Sequence, residues 1–569
     1  MKGAEVLVQM LREYKVEVIF GVPGDTSLPL YEAIYDAAPK IRHVMARDER
    51  SASFMADAYA RNAHKPGICE CPSGAGALYS IPGVAEANAS SIPVILFTSD
   101  ISLADEGKGA ITALDHHKLF EPITKWSSFL KQTEKIPETI RRAFRVATTG
   151  RPGAVHLAFP QEVMTAELLQ GERMIFSEPE CTAYPAYRTR GSRQILEEAA
   201  EHLLGAIRPV IVAGGGANHS QAGPEIQALA ELLAAPVVTT ISGQGIMPDD
   251  HPLALGVVGD NGFHPYANQA VEESDLLLYV GCKRGSVSTI RWTLPSYQPA
   301  RKIIQIDLDP LQLSNNFSNT LDVAGDARLV LKDLVGLLKK EAKARKSSPW
   351  MEEMNRIRAR FWEDSEAMFH SEAIPIKPQR IIHALNQRLP SPAIVIADAG
   401  TPTPYITRFL KLQGGGSRFL IPRSFGGLGY AIPAAVGASI ARPGTRVVAL
   451  FGDGSLGMSA GELETLARLH VPAALIHFNN GCFGWIKALQ ALHSKGKFIS
   501  VDFGTGNMAR VAEGFGLKAL HVETPGELEQ GLDEAFATKA PVFLDVVTES
   551  ETTEIPPVYS WLKRAEKER

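Results

Sequence analysis

Two strand ends in the C-terminal part of the sequence carry residues that can bind a metal ion. The apolar run 446–451 stops at GDGS (452–455), and the next apolar run ends in a pair of asparagines, 479 and 480. Glycines let a backbone approach a ligand closely, and a helix that begins near Ser459 would direct free N–H groups at a phosphate. The carboxylate of Asp453 would repel that phosphate unless a cation lay between them, and Mg²⁺ prefers such oxygen ligands. The pattern predicts a metal–diphosphate site; the alternative is an ordinary turn followed by a loop-capping asparagine.

Short apolar runs alternate with helical patterns along the chain. Examples of such runs are EVIFGVPGD, GAVHLAFP, PVIVAGGG, DLLLYVG, KIIQIDLDP, AIVIADAG, RVVALFGDG, AALIHFNN and PVFLDVVTE. This alternation is typical of parallel sheets that are covered by helices on both faces. The predicted fold class is therefore α/β, with three doubly wound parallel-sheet domains.

Two polar, proline-containing segments, around 170–191 and 339–380, interrupt this alternation. They divide the chain into segments 1–170, 190–340 and 370–555, each the size of one α/β domain. The first and third segments both contain strands that end in glycine-rich turns. Because ligands bind at the carboxyl ends of strands in such sheets, we expect a site shared between these two domains.

Composition excludes several functional classes. The 569 residues carry a net charge of −5, which predicts no nucleic-acid partner. No apolar run reaches the roughly 20 residues of a membrane span, and the N-terminus is typical of an amphipathic helix followed by a strand rather than of a secretory signal. The five cysteines include Cys69 and Cys71, whose spacing is not that of a redox pair. We expect buried free thiols and a cytoplasmic protein.

Several blocks resemble, in the same order, the family of acetolactate synthases and 2-oxo-acid decarboxylases. They are IFGVPGDTSLPLYEAI, HVMARDERSASFMADAYAR, KPGICECPSGAGA, GRPGAVHLAFPQEV and SFGGLGYAIPAAVGA, followed by GDG and NN. The resemblance implies thiamine diphosphate and Mg²⁺ as cofactors, with the ion bound by the side chains of Asp453 and Asn480 and by the carbonyl of Cys482. It also implies an N-terminal pyrimidine (PYR) domain, a central Rossmann-like domain and a C-terminal diphosphate (PP) domain.

The block HVMARDER contains two adjacent carboxylates, Asp48 and Glu49. Thiamine diphosphate is activated when an acid hydrogen-bonds the far nitrogen of its pyrimidine ring, so that the ring's own amino group can take the C2 proton. The resemblance assigns this role to Glu49, whereas Asp48 stands where the family usually has histidine. Without the resemblance, Glu49 is better explained as an exposed acid at a helix N-terminus. Burial in an apolar pocket should raise its pKa.

The resemblance implies further cofactor contacts. Leu428 matches a large apolar side chain beneath the bent cofactor, and a core leucine is the alternative. The stretch SGAGA departs from the usual SGPGA at Ala75, which affects the stiffness of the turn more than its chemistry. The remaining cofactor-binding positions are Gly24, Gly74, Gly76, Gly400, Thr401, Gly427, Gly452, Gly454, Ser455, Phe483 and Gly484.

The reaction expected from the resemblance is carbon–carbon bond formation or cleavage on a 2-oxo acid, through a C2-bound enamine. Pyruvate decarboxylases carry an acid shortly after the NN motif, where this chain has Ile486, so aldehyde release should be slow. Acetolactate synthases have Met-Val at Trp485-Ile486, Trp at Leu489 and Phe-Gln at 111–112, so the chain also departs from the biosynthetic enzyme. The alternative is a non-oxidative decarboxylase of an aryl or CoA-linked 2-oxo acid.

Two adjacent histidines, His116 and His117, lie in a segment that resembles an active-site loop. They do not clearly align with the histidine pair of the pyruvate decarboxylases. Both are candidate catalytic residues that contact substrate, and solvated surface histidines are the alternative.

The middle domain contains PVIVAGGGANHSQAG, a strand, a glycine turn and a helix that suggest a dinucleotide site. In the resembling family this block holds FAD, ADP or nothing, and GCKRGSVSTIRW departs from the FAD-binding pattern, so FAD and ADP both stay open. A dehydrogenase built on this domain is disfavoured, because no catalytic His/Arg pair accompanies the turn.

One cofactor must reach both Glu49 in the first domain and Asp453 in the third. The family pairs the first domain of one subunit with the third domain of another. We therefore expect a homodimer or homotetramer with active sites between subunits.

Overall fold

The computed structural model describes residues 1–168, 174–341, 348–413, 418–504 and 506–568. Within these residues the strands form three six-stranded sheets, and the strand pairs within each sheet are parallel. This confirms the predicted α/β class with three doubly wound domains. The predicted linkers fall partly on residues 170–173 and 342–347, which lie outside the described part.

The first sheet has the strand order β2-β1-β3-β4-β6-β5. Its strands are β1 Val18–Gly21, β2 Arg42–Met45, β3 Gly67–Cys71, β4 Val94–Asp100, β5 Trp126–Phe129 and β6 Val155–Pro160. The helices that cover it are α1 Gly3–Glu13, α2 Leu28–Ala37, α3 Glu49–Ala63, α4 Ala75–Tyr79, α5 Ile81–Ala89, α6 His116–Phe120, α7 Ile136–Thr148 and α8 Gln161–Thr165. The predicted N-terminal helix and strand are thus α1 and β1.

The central sheet has the order β12-β11-β10-β7-β8-β9. Its strands are β7 Pro209–Ala213, β8 Val237–Thr239, β9 Ala254–Val257, β10 Leu276–Val280, β11 Lys302–Asp307 and β12 Leu321–Ala324. Its helices are α9 Arg193–Gly205, α10 Gly215–Ser220, α11 Gly223–Leu233, α12 Pro265–Glu273 and α13 Ala327–Glu341. Counted from its own first strand, this is the order 3-2-1-4-5-6 of dinucleotide-binding sheets.

The third sheet has the order β14-β13-β15-β16-β18-β17. Its strands are β13 Ala393–Ala397, β14 Arg418–Leu420, β15 Arg446–Gly452, β16 Ala473–Asn479, β17 Lys518–Val522 and β18 Val542–Val547. The helices of this part of the chain are α14 Pro349–Phe369, α15 Pro378–Asn386, α16 Pro402–Phe409, α17 Ala431–Ala441, α18 Asp453–Ser459, α19 Glu462–Arg468, α20 Gly484–His493, α21 Met508–Gly514, α22 Pro525–Ala537 and α23 Tyr559–Glu568. Counted from its own first strand, the order repeats that of the first sheet.

Helices α3 and α17 join the first and third domains within one chain. The helix α17 consists mostly of small residues, and a Cβ on Gly437 would lie 2.1 Å from the carbonyl oxygen of Met55. This lets the two backbones approach closely. The Tyr430 hydroxyl donates to Asp57 Oδ2 at 2.7 Å, and Arg61 pairs with the same carboxylate. The starts of α3 and α17 are thereby tied to one shared core.

None of the described helices combines the length and apolarity that crossing a bilayer requires.

Candidate active site

The strand β15 delivers Asp453 directly to the end of the third sheet. Gly452 is the extended N-cap of α18, and Asp453 is the first residue of that helix. The expectation that a helix begins near Ser459 is wrong, because α18 ends there. Gly452 offers no side-chain cap and two further glycines lie within α18, so propensity gave no sign of a helix in this stretch.

The structure brings the two predicted metal-binding side chains together. Strands β15 and β16 are neighbours, with Gly452 opposite Phe478, so their ends lie side by side. The backbone N–H of Asn480 donates to Asp453 Oδ2 at 3.1 Å. The backbone N–H of Cys482 lies 3.3 Å from Asn480 Oδ1. Asp453, Asn480 and Cys482 therefore form one compact group.

Buried polar groups that sequence reasoning missed stand behind Asp453. His477 Nε2 lies 3.5 Å from Asp453 Oδ1, and His477 Nδ1 lies 2.9 Å from Asp545 Oδ1. Burial opposes ionisation of Asp545, but hydrogen bonds from His477, Asn479 and His521 outweigh it and lower its pKa to about 2. Burial likewise opposes a charge on His477, but the two carboxylates outweigh it and raise its pKa. The signal in the sequence was one polar residue inside each of two apolar strands, AALIHFNN and VFLDVV.

A cavity of about 540 Å³ opens beside this group. Predicted cofactor and metal residues that line it are Gly400, Thr401, Leu428, Gly452, Asp453, Gly454, Ser455, Asn480, Cys482, Phe483 and Gly484. A Cβ on Gly454 would lie 2.5 Å from the ring of Phe483, so the glycine leaves room for that ring. Gly427 is not among the lining residues and lies instead against Phe54 of α3.

The donor set of this group suits Mg²⁺. It offers one carboxylate, one amide oxygen and the backbone carbonyl of Cys482, all hard oxygen ligands. Among the described residues, no three His, Cys, Asp or Glu side chains are placed to hold a metal ion by themselves. Mg²⁺ in proteins often binds through one or two carboxylates and completes its octahedron with substrate phosphates and water. The residues present therefore fit an ion that is shared with a diphosphate.

The other predicted acid begins α3 in the first domain. Asp48 caps this helix, because its Oδ1 accepts from the backbone N–H groups of Arg50 at 2.8 Å and Ser51 at 3.4 Å. Glu49 is the first helical residue and is only 9% exposed. Burial raises the pKa of Glu49. The two adjacent carboxylates thus have different environments, and Asp48 is engaged in holding the helix.

The glycines predicted in the first domain lie around the turn that follows β3. A Cβ on Gly76 would lie 3.0 Å from Glu49 Oε1, and one on Gly24 would lie 2.4 Å from the side chain of Pro72. Gly74 has φ +64°, and a Cβ there would meet Thr112. Glu49 therefore faces a glycine-rich turn. Within the described residues of one chain, none of these first-domain positions lines the cavity beside Asp453.

His116 and His117 occupy two ends of a hydrogen-bonded chain. His116 is buried, with Nδ1 3.0 Å from Thr98 Oγ1, and the same oxygen lies 2.9 Å from Nε2 of His156. Ser127 Oγ then lies 2.8 Å from His156 Nδ1 and 3.1 Å from Nδ1 of the exposed His117. Burial lowers the pKa of His116 to about 4, so it is neutral at neutral pH. The alternative that His116 is a solvated surface histidine is therefore wrong. The sequence analysis did not identify the buried His156.

A second cavity of about 320 Å³ lies where the central domain meets the other two. It is lined by the glycine turn 214–216 and by cationic side chains from all three domains. These are Arg61, Arg151, Lys283, Arg284, Arg418 and Arg423. Burial, and next the charge of Arg151, lower the pKa of Lys283 to about 8. This excess of positive charge suits an anionic ligand.

Three family models match the chain in succession. They are the N-terminal TPP binding domain of thiamine pyrophosphate enzymes at residues 1–119, the central domain at 196–334 and the C-terminal TPP binding domain at 398–546.

Similar proteins cover nearly the whole chain. A probable acetolactate synthase large subunit of Methanococcus aeolicus is 34% identical over 98% of this chain and 94% of its own length. One of Methanocaldococcus jannaschii is 35% identical over 96% of this chain and 92% of its own length. The acetolactate synthase large subunit of Haemophilus influenzae is 31% identical over 97% of this chain and 95% of its own length. The chain therefore belongs to the thiamine pyrophosphate enzyme family and is a relative of the acetolactate synthase large subunits.

Proposed function

We propose that the chain is the catalytic subunit of a thiamine-diphosphate- and Mg²⁺-dependent carboligase that acts on a 2-oxo acid. The observation that carries this proposal is the contact of Asp453 with Asn480 at the edge of a cavity lined by the predicted cofactor residues. The relatives named acetolactate synthase favour bond formation over the alternative, a non-oxidative decarboxylase.

Each half of the site has its own task. Asp453, Asn480 and the Cys482 carbonyl would hold Mg²⁺, and the turns at Gly400 and Gly454 would lie against the diphosphate. When bound, thiamine diphosphate supplies a carbon nucleophile that can break and form bonds next to a carbonyl group. Glu49 would share a proton with the far ring nitrogen, and burial raises its pKa in the direction that such an acid requires.

The substrate end of the cavity is apolar. Trp485, Ile486, Leu489 and Trp561 line it, and the two tryptophan rings lie 4.5 Å apart. Ile486 stands where pyruvate decarboxylases carry an acid, so this wall offers no proton at that position. With no acid at that position, an acceptor carbonyl would compete better than a proton for the carbon nucleophile, which supports carboligation. Trp485, Ile486 and Leu489 also differ from the residues of acetolactate synthases at these positions. The acceptor substrate therefore has to be identified by experiment.

A panel of 2-oxo acids tests the reaction. Purified protein with thiamine diphosphate and Mg²⁺ is given pyruvate and larger 2-oxo acids, alone and in pairs, and CO₂ and acyloin products are measured. We expect 2-hydroxy-3-oxo acid or acyloin products to account for the CO₂ released. Free aldehyde in equal amount to CO₂, without coupled product, would instead establish the decarboxylase.

The active enzyme is proposed to be a homodimer, with a tetramer of two dimers as the larger form. Glu49 and the cavity beside Asp453 do not meet within one chain, although both must reach one cofactor. Large apolar side chains are exposed in both domains, among them Leu28 at 60%, Ile111 at 87% and Phe425 at 65%. A second copy would cover such side chains and supply the missing half of each site.

Subunit exchange tests this assembly. Glu49→Gln and Asp453→Ala are each inactive in this scheme, but a mixed dimer has one site with both lesions and one with neither. Activity after exchange should return to roughly a quarter of wild type, because half of the dimers are mixed and each has one intact site. No recovery, with exchange shown by native mass spectrometry, would mean that each site is built within one chain.

The central cavity is proposed to hold FAD or ADP. The strand order of the central sheet, the turn 214–216 and the surrounding cations support a ligand with phosphate groups. Absorption at flavin wavelengths in purified protein would identify FAD, and chromatography of the acid extract would identify ADP. A cytoplasmic location is also proposed, since all five cysteines are free and buried.

A further inference from the structure

A third acidic side chain lies at the metal end of the site, on the segment that follows β18. Glu551 is 5% exposed, and its Oε1 accepts a hydrogen bond from Asn480 Nδ2 at 2.6 Å. Its Oε2 lies 3.9 Å from the Cys482 sulfur. Glu551 is 71 residues from Asn480 in the sequence and belongs to none of the motifs described above.

The contact bears on the orientation of the Asn480 amide. An amide carries an oxygen and an NH₂ group of nearly equal size, and only the oxygen can bind a cation. Glu551 Oε1 accepts from the NH₂ group, and this contact keeps that group on the Glu551 side. The amide oxygen then lies toward Cys482, 3.3 Å from its backbone N–H and 3.2 Å from its sulfur. Side chains that fix a metal ligand in this manner commonly affect metal affinity.

The segment around Glu551 is anchored on both sides. Lys377 Nζ bridges Glu549 Oε2 at 2.8 Å and Glu554 Oε2 at 2.9 Å. The Tyr405 hydroxyl donates to the carbonyl oxygen of Glu554 at 3.1 Å. These contacts hold the backbone, so the Glu551 carboxylate is fixed against Asn480 rather than free to turn to solvent.

Gly484 admits this carboxylate. A Cβ at Gly484 would lie 2.3 Å from Glu551 Oε1, which is far inside contact distance. The glycine after Phe483 therefore leaves room for a protein side chain and not for the cofactor alone, which was its predicted role.

We propose that Glu551 is a positioning residue of the metal site, which holds the Asn480 amide with its oxygen toward the cation. The inference rests on the proposed function, because it requires a cation at Asp453 and Asn480. Glu551 acts through Asn480 and is not counted among the metal ligands. Its contribution is a hydrogen bond of fixed direction, so a neutral acceptor of the same shape should replace it.

Mn²⁺ binding gives a readout that does not depend on turnover. Wild type, Glu551→Ala, Glu551→Met and Glu551→Gln are titrated with Mn²⁺ in the presence of thiamine diphosphate, and free Mn²⁺ is measured by electron paramagnetic resonance. We expect alanine and methionine to weaken Mn²⁺ binding about 10–100-fold, because alanine has no acceptor and the thioether of methionine is only a weak one. Methionine fills the volume of glutamate, so it separates loss of the acceptor from a packing defect.

Glutamine is the rescue variant, and Asp502→Asn is the matched control. Glutamine can accept from Asn480 Nδ2 through its own amide oxygen, so it should restore most of the affinity. The control neutralises an exposed carboxylate of the same neighbourhood that pairs with Lys487, and should bind as wild type.

Two results overturn the inference. Wild-type affinity in both Glu551→Ala and Glu551→Met would show that the contact does not position the ligand. A glutamine variant as weak as alanine would show that the charge acts directly on the cation. If wild type itself binds no Mn²⁺ with the cofactor, the proposed function fails and the inference with it, a result distinguishable from the other two.

Discussion

The first and third sheets share one strand order but place their proposed functional acids after different strands. Counted within each sheet, both run 2-1-3-4-6-5. In the first sheet the acid Glu49 follows the second strand, and the glycine turn at Gly74 follows the third. In the third sheet Leu428 lies in the connection after the second strand, and the acid Asp453 follows the third. Both domains therefore use the connections after their second and third strands, but the acid follows the second strand in the first sheet and the third strand in the third sheet.

This difference separates what the fold supplies from what the residues supply. The topology brings the ends of the second and third strands to one edge of each sheet, which is where ligands bind. Residue type then decides the task. The third domain surrounds Asp453 with Asn480, His477 and, through His477, Asp545, an arrangement suited to binding. In the first domain the buried acid Glu49 lies beside Gly76, an arrangement suited to proton transfer. Lesions in the two halves should therefore fail in different ways.

The largest effect is expected from Asp453→Ala, which removes the carboxylate of the metal half. Binding of thiamine diphosphate in the presence of Mg²⁺ should fall below detection in calorimetry, because no anionic protein ligand remains to hold the cation. The matched control is Asp502→Ala, which removes an exposed carboxylate of the same neighbourhood that pairs with Lys487. Tight cofactor binding by wild type in EDTA would contradict a cation-mediated site.

Glu49→Gln should break the other half without affecting binding. Glutamine keeps the shape and can hydrogen-bond the ring nitrogen, but it has no carboxylic proton to share. We expect unchanged cofactor affinity and exchange of the cofactor's C2 proton that is slower by about 10²–10⁴-fold, measured by NMR in D₂O. Exchange at the wild-type rate would remove Glu49 from the proton pathway and end the contrast between the two halves.

Local patterns predicted the strands and their ends, because apolar runs and glycine turns are short-range signals. They could not predict contacts between distant segments. Glu551 reaches Asn480 only because the segment after β18 is anchored beside β16. His156 joins His116 only because β4 and β6 are neighbours. The start of α18 was missed for a different reason, since tertiary packing stabilises a glycine-rich helix that propensity disfavours.

Glycines after the third strand of each sheet should respond differently to a methyl group. Gly74 has φ +64°, and a Cβ there would lie 2.8 Å from Thr112 Cβ. Gly74→Ala should therefore destabilise the first domain by about 1–3 kcal/mol.

Gly452 has φ −105°, and a Cβ there would meet nothing closer than 3.9 Å. Gly452→Ala should leave stability nearly unchanged and weaken cofactor binding, since it lines the cavity. Calorimetric unfolding and cofactor titration together check the pair, and equal loss of stability in both would contradict it.

The smallest effect is expected from Asp48→Ala, which separates helix capping from proton transfer between adjacent carboxylates. Asp48 accepts from the backbone N–H groups of Arg50 and Ser51, and loss of such a cap typically costs about 1 kcal/mol. The corresponding position of α18 is Gly452, which has no side chain to lose. Asp48→Ala should thus lower the thermal midpoint slightly and leave C2 exchange near the wild-type rate, the reverse of Glu49→Gln. If Asp48→Ala slowed exchange as much as Glu49→Gln, the proton pathway would run through both carboxylates. The first domain would then rely on two polar residues acting together, as the third domain does with Asp453 and Asn480.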